Sequence, residues 1–245
     1  MNKLVHSARA RVVTQPAAKL ATKLTTKPAA KRAVKRARAN TRTNDPERTM
    51  AGILEVAMAE FSEKGLSGAR IDDIAAATRT SKRMIYYYFG SKEGLYLAVL
   101  EQSYRGMRGV EAALHLEDLP PEDALRRLVG FTFDHHQGNE PYIRLVMSEN
   151  MQRGQYIAQS KNIQKLNLPA IEAIRKLYGR GVGQGIFRSG LDPVDIHASI
   201  SALTFFNVSN QHTFGLIFKR DTQAAQAVTT RRDSIVEMVV RFVRK

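Results

Sequence analysis

The segment from Ile71 to Lys92, IDDIAAATRTSKRMIYYYFGSK, constrains the fold more than any other part of the chain. It sets a short helix, a tight turn and a basic, tyrosine-rich second helix in immediate succession. Asp72, Asp73 and the run Ile74 to Ala77 predict a compact first helix. Thr80 or Ser81 then offers a hydroxyl to cap the free amides at the start of the next. Two helices joined by so few residues cross at a steep angle, the arrangement of a DNA-reading helix-turn-helix.

On a helical wheel of Ser81 to Phe89, Ile85 and Phe89 stand one turn apart and predict the inward face. Arg83, Tyr86 and Tyr87 project from the other side, with Lys82 at its edge. That mixture suits a phosphate-flanked groove, since Lys and Arg neutralise phosphate, Arg reads guanine edges and Tyr hydroxyls donate to phosphate oxygens. An isolated basic face is also what a plain solvated helix presents. The upstream residues favour the first reading: Asp45-Pro46-Glu47 is a helix start, and Met50, Ile53, Leu54, Ala57, Met58 and Phe61 form an apolar stripe ending at Lys64-Gly65. Such a helix covers the buried side of the two-helix unit.

These residues resemble the N-terminal signature of the TetR family of transcriptional regulators. Ile53-Leu54, Ala57, Phe61, Gly65, Ile74-Ala75, Ser81, Tyr86, Tyr88-Phe89 and Ser91-Lys92-Glu93 with Leu95 fall at the family's spacing. The resemblance implies an all-α chain, with a three-helix helix-turn-helix domain at 45–91 followed by a helical ligand-sensing and dimerisation domain at 92–245. It implies base contacts from Lys82 and Arg83, mixed base and phosphate contacts from Tyr86, Tyr87 and Tyr88, and a phosphate clamp at Lys92, with Thr80 and Ser81 at the entry to the reading helix. Lys92 also opens the next helix, where free amides favour an anion. Arg79 departs from the pattern, because the family places glycine at this turn. Either Arg79 adopts a left-handed backbone at a cost of about 1 kcal/mol, or the turn has another shape.

Net charge is +15, and its distribution matters more than its size. Residues 1–44 hold twelve Lys plus Arg and no Asp or Glu, while the rest of the chain holds 26 basic and 23 acidic residues. The tail has too few large apolar groups to offset the entropy of ordering. It is expected to be disordered when free, and Lys19, Lys23, Lys27, Lys31 and Lys35 would stack like charges along one side of a helix. A sequence-blind DNA arm, a solubilising extension and a misassigned translation start all fit, and an organelle transit peptide is a weaker fit. With no secretory hydrophobic segment ahead of the body and no Cys, the cytoplasm is the default location.

The second half shows helical periodicity, with helices expected near 92–114, 121–137, 141–153, 162–183, 193–218 and 224–243. Ile196 to Phe218 carries no Asp, Glu, Lys or Arg, but His197, Asn207, Asn210, Gln211 and His212 would be costly in hydrocarbon, so a buried soluble helix is expected rather than a membrane span. In the TetR-like arrangement the last two helices pair with their copies in a second subunit, and a two-fold dimer suits two reading helices in successive major grooves of a palindromic operator. The cluster Gly179, Gly181, Gly183, Gly185 lacks the strand and lysine of a phosphate loop and reads as a helix end and turn.

No catalytic pattern, cofactor motif or metal-ligand spacing is present. Adjacent His135 and His136 point about a hundred degrees apart on a helix and do not readily share a metal. His135 continues a stripe with Ala124, Leu128 and Phe131, which suits either a sensor cavity or a core histidine bonded to a carbonyl. A small-molecule effector needs an apolar cavity with a few orienting polar groups. Phe131, His135, Asn150, Phe206, Asn207 and Asn210 are the candidates, although Asn207 and Asn210 suit hydrogen bonds across a dimer equally well. Pro141 to Val146 with Glu149-Asn150, and Phe205 to Asn210, resemble a TetR branch that includes regulators of aromatic-acid catabolism. That branch implies an aromatic carboxylate effector, with Arg144 or Arg153 as its counter-ion. The expected function is a ligand-released repressor; the rivals are a general DNA-coating protein acting through the basic tail and an enzyme with an unrecognised helical site.

Overall fold

The computed structural model of the chain describes residues 45–245. The basic segment 1–44, and with it the expected disordered arm, lies outside the described residues. Asp45 opens α1 (Pro46–Gly68), its Oδ1 accepting from the amides of Glu47 and Arg48 at 3.1 and 3.2 Å, with proline at the first helical position. Regular helix stops at Gly65, whose φ of 66° lies in the left-handed region, where the Lys64-Gly65 pair predicts the end. Three helices follow: α2 (Ile71–Thr78), α3 (Lys82–Phe89) and α4 (Lys92–Ala112). Their shared core is built from Ile53, Ala57 and Phe61 of α1, Ile74 of α2, Ile85 of α3 and Leu95, Tyr96 and Val99 of α4. The Phe61 and Tyr96 rings meet edge to face at 5.2 Å.

The remainder of the described chain is helical, as expected. Its helices are α5 (Pro121–Gly138), α6 (Glu140–Met151), α7 (Lys161–Gly183), α8 (Pro193–Ser209), α9 (Gln211–Phe218) and α10 (Ala225–Val243). Leu125, Leu128, Val129 and Phe133 of α5 pack on Ile174 and Leu177 of α7, Ile196 and Ile200 of α8, and the buried side of α10. Arg232 of α10 forms a two-pronged pair with Asp134 of α5 at 2.8 and 2.9 Å, and Arg126 links the same two helices through Glu237. Residues 45–245 form one compact unit. Leu145 of α6 and Ile163 of α7 are buried in the core of the first four helices, so those helices share their interior with the helices that follow.

One expected element is corrected. The stretch 193–218 is two helices, broken at Asn210, whose side chain donates to Ser209 Oγ at 2.8 Å while its carbonyl accepts from the Thr213 hydroxyl at 3.2 Å. Side chains of this kind offer the backbone a competing set of bonds, and the helix ends there. Among the described residues no helix is long and apolar enough to cross a membrane.

The glycine cluster proves to be the end of α7 and the turn after it. The amides of Ile186 and Phe187 both return to the Gly181 carbonyl, at 2.9 and 3.1 Å, and this folds the Phe187 ring back over Gly181. A Cβ on Gly181 would lie 2.0 Å from that ring. Gly181→Ala is therefore expected to force Phe187 out of place and cost about 1 to 3 kcal/mol, measured as a lower midpoint in thermal or urea unfolding; a midpoint equal to that of the unaltered protein would contradict this packing.

Candidate nucleic-acid interface and effector site

The turn between α2 and α3 takes the first of the two shapes that the sequence allows. Arg79 has φ 53° and ψ 34°, a left-handed backbone, and its amide closes α2 on Ala76 at 3.2 Å. Ser81 is the cap of α3: its Oγ accepts from the Met84 amide at 3.2 Å, while half-buried Thr80 bonds through its amide to the Ala75 carbonyl at 3.0 Å. Ile85 is fully buried, and Phe89 half-buried beside it. The opposite face carries Arg83, Tyr86 and Tyr87, all exposed, with Tyr87 77% accessible. Tyr88 is half-buried and packs edge to face on Tyr87 and Phe89. Lys82 sits at the edge as expected, in a salt bridge with Asp72 that ties α3 to α2.

Lys92 opens α4 and its Nζ reaches the Ser67 carbonyl at 3.4 Å, beside the end of α1. The α3–α4 corner is tight enough to require glycine at position 94, where a Cβ would stand 2.1 Å from the Phe89 carbonyl oxygen. α3 is thus held at three points: the buried Ile85, the Asp72 pair and this corner. The result is an exposed face of cations and phenols with an amide-rich helix start beside it, which is the chemistry that phosphate and base edges accept.

The expected effector residues separate into two groups. Phe131 and His135 come together on α5, rings 5.8 Å apart, and join Tyr142 of α6, His136 and Phe205 of α8 in one aromatic cluster. Asn150, Phe206 and Asn210 are not brought to this cluster. Asn150 is exposed and donates to the Val146 carbonyl of its own helix; Asn210 ends α8; and Phe206 is 46% exposed on the outer side, edge to face with Phe214. Asn207 donates to Gln137 Oε1 at 2.8 Å and ties α8 to the end of α5. The core histidine is His136 rather than His135. It is 3% exposed, its Nδ1 lies 3.0 Å from the Thr204 hydroxyl, and His135 is only half-buried. Arg144 is engaged elsewhere: its guanidinium donates to the carbonyls of Ser62 and Glu63, at 2.7 and 3.2 Å, at the end of α1.

Sequence reasoning missed the most unusual polar group in the sensor, the ion pair of Arg108 and Glu111 on α4, whose side chains are only 11% and 9% exposed. The available signal was their phase: Leu100, Tyr104, Met107 and Glu111 continue one side of α4 at helical spacing. Burial pushes the Glu111 carboxyl up, with the Arg108 charge opposing. It pushes the Tyr104 and Tyr142 phenols up too. His135, His136 and His197 all go down, each chiefly through burial, with Arg108 adding to it. Elsewhere His115, Glu117 and Asp118 bring potential ligand atoms within 4.8 Å of one another, but all three are exposed on a turn.

His136 provides a pH signature of this interior. Its pKa falls from 6.5 to about 4 on folding, so below pH 6.5 the unfolded chain takes up the proton first and stability drains away as pH falls towards 4. A shift of that size is equivalent to about 3 kcal/mol. Thermal midpoints measured from pH 7 down to pH 4.5 are expected to fall, and His136→Gln to flatten the decline; a variant that declines as steeply as the unaltered protein would place the effect elsewhere.

Comparison with known proteins matches this geometry. Residues 53–99 match the family model described as bacterial regulatory proteins, tetR family, and residues 121–239 the model of a tetracyclin repressor-like C-terminal domain. The HTH-type transcriptional repressor NicS of Pseudomonas putida is 33% identical over 204 residues, 83% of this chain and 96% of that protein. A transcriptional regulator from Streptomyces coelicolor superposes with a TM-score of 0.60 at 28% identity, over 80% of this chain and 98% of its own. A tetR-family regulatory protein from Rhodococcus, 20% identical, has the same fold, with a TM-score of 0.64 over 80% of this chain and 97% of its own. An exposed face of Arg83, Tyr86 and Tyr87 on α3, a helical bundle behind it and these matches along most of the described chain have one meaning: the protein belongs to the TetR family of ligand-responsive, DNA-binding transcriptional regulators.

Proposed function

We propose that the protein is a repressor that binds a palindromic operator as a homodimer, one α3 in each of two successive major grooves, and leaves it when an aromatic carboxylate fills the sensor. The observation that carries this reading is the face of α3, where exposed Arg83, Tyr86 and Tyr87 stand opposite buried Ile85. Arg83 reads a base edge, the tyrosines combine base and phosphate contacts, and Lys92 clamps phosphate.

Dimerisation is assigned to the outer faces of α8 and α10. Ile196, Ile200, Thr204 and Val208 bury one side of α8, while Val194, Ala198, Ala202 and Phe206 expose a second apolar stripe at the same four-residue spacing. Met238 and Phe242 do the same on α10. A helix apolar on both sides, with one side bare, matches a surface that a second copy covers. NicS, which aligns over 83% of this chain, is named a repressor, which favours that sign of regulation. The rival reading, a sequence-blind DNA coat, draws no support from the relatives.

Arg83→Ala is expected to cost about 1 to 3 kcal/mol on the operator and to relax selectivity at one base pair, whereas Lys92→Ala should weaken all sequences alike. Binding selections with genomic fragments supply the operator, and titrations on it and on random DNA check the two variants; equal losses on both DNAs for Arg83→Ala would reduce it to a phosphate contact. Residues 1–44 add a sequence-blind arm in this reading. If about half of its cations touch phosphate, deleting them should lower the log–log salt slope by roughly 5 and leave the consensus site unchanged; an unaltered slope in titrations at several salt concentrations would remove the arm from the reading.

A further inference from the structure

Between α4 and α7 lies a cleft of about 520 Å3. Arg105, Arg108, Gly109 and Ala112 of α4 form one wall and Lys165 and Pro169 of α7 lie on the other. The small residues leave α4 thin at this point, and Pro169, having no N–H, leaves the Lys165 carbonyl without its helical donor. Arg105 and Lys165 are exposed. Arg108 belongs both to this cleft and to the interior: it pairs with Glu111, and its charge reaches Tyr104, Tyr142, His135, His136 and His197. Its Nε is buried with no hydrogen-bond partner among the described residues.

We infer that this cleft is the entrance and anion site of the effector: a carboxylate entering between Arg105 and Lys165 takes Arg108 from Glu111, and its ring lies against Tyr104 and Tyr142. The inference rests on the regulator reading above and adds to it the docking group and the way binding is felt. The charged and titratable groups placed around the pair are consistent with it. On α4, Arg105 draws the anion in; the mouth's acid, Glu101, is already engaged by Ser160 Oγ at 2.5 Å and by Asn162. From α7 comes Lys165. His135 and His136 of α5 and His197 of α8 are held neutral by burial, so they offer hydrogen bonds rather than counter-charges, and Tyr142 of α6 is held as the phenol, ring to ring with Tyr104 at 5.7 Å. Arg108 is thus the buried cation within reach of the cleft, and Glu111 its occupant when no effector is bound.

The exchange has a chemical consequence. A Glu111 carboxylate left without Arg108 in an interior that already raises its pKa takes a proton from solvent, so binding of the acid consumes about one proton and leaves the interior's net charge unchanged. Both partners lie on α4, one turn apart, and α4 carries the reading unit at its other end. Breaking the pair therefore acts on the helix that joins the two functions.

The test is isothermal titration calorimetry of the full chain, without DNA, using benzoate, 4-hydroxybenzoate and phenylacetate, each beside its primary amide, in two buffers of different ionisation enthalpy near pH 7.5. At least one acid is expected to bind, about tenfold or more tighter than its amide, with proton uptake approaching one per site. Glu111→Gln is expected to keep or strengthen that binding and abolish the uptake, and Arg108→Lys to weaken it while the thermal melt shows a folded protein. Amides that match their acids, no binding by any of the acids, or proton uptake that persists in Glu111→Gln would each overturn the inference. Operator release is assayed separately: an acid that binds with uptake but leaves the operator complex intact removes the regulatory reading of the site, whereas release by a neutral compound that ignores Arg108→Lys removes this inference and keeps the regulator.

Discussion

One helix is buried in two places, and the structure depends on it. Near its start α4 gives Leu95, Tyr96, Val99 and Leu100 to the core that holds the reading helix; further along, Met107 and Glu111 are buried against the sensor. Between those ends lies helix with regular backbone, and close-packed interiors transmit displacement rather than absorb it. A shift of the α4 end in the sensor core is therefore felt at the α3–α4 corner, where Gly94 leaves no slack against the Phe89 carbonyl.

A second linkage runs parallel to the first. α6 packs against α1, and Arg144 of α6 donates two bonds to the carbonyls at the end of α1, where regular helix has stopped at Gly65 and those oxygens lack helical donors. A cation is also what the negative end of a helix favours. Glu63 and Glu140 flank the guanidinium at 3.4 and 3.8 Å and hold it over that end. α5 and α6 are separated only by Asn139, so the cluster of His135, His136 and Tyr142 lies beside the helix that carries this latch. Both routes lead to the core around Ile85, α4 packing on α3 directly and α1 reaching it through α2; in the proposed reading, a ligand that prefers another arrangement of the interior would thereby alter how α3 is presented.

The parts of this arrangement that were legible in the sequence are those governed by local rules. The cap at Asp45, the stop at Gly65, the buried phase of Ile85 and the opposite phase of Arg83 and Tyr87 each follow from a few neighbouring residues. What escaped depends on partners distant in sequence. Asn210 looks like any polar residue in a helix until its bond to Ser209 ends that helix. His135 and His136 differ by one position, and which of them faces Thr204 is decided by the rotation of α5 against α8. Arg144 looks like a counter-ion for a ligand until the end of α1 is placed against it.

Arg108 and Glu111 escaped for a deeper reason, although their phase on α4 was readable. Charged residues are read as surface because desolvating an ion costs several kcal/mol, and that reasoning is sound for stability alone. Replacing such a pair with apolar side chains of similar volume is often neutral or stabilising, so its presence here is poorly explained by stability. A buried pair has a property that an apolar core lacks: either member, once separated, creates a strong demand for a replacement charge or a proton. With Arg108 lining a cationic cleft on the helix that also packs against α3, the pair would turn the arrival of an anion into a rearrangement of bonds rather than the filling of a void. An aromatic wall without the pair would bind many apolar compounds, whereas with it the neutral isostere leaves Arg108 paired and α4 where it was.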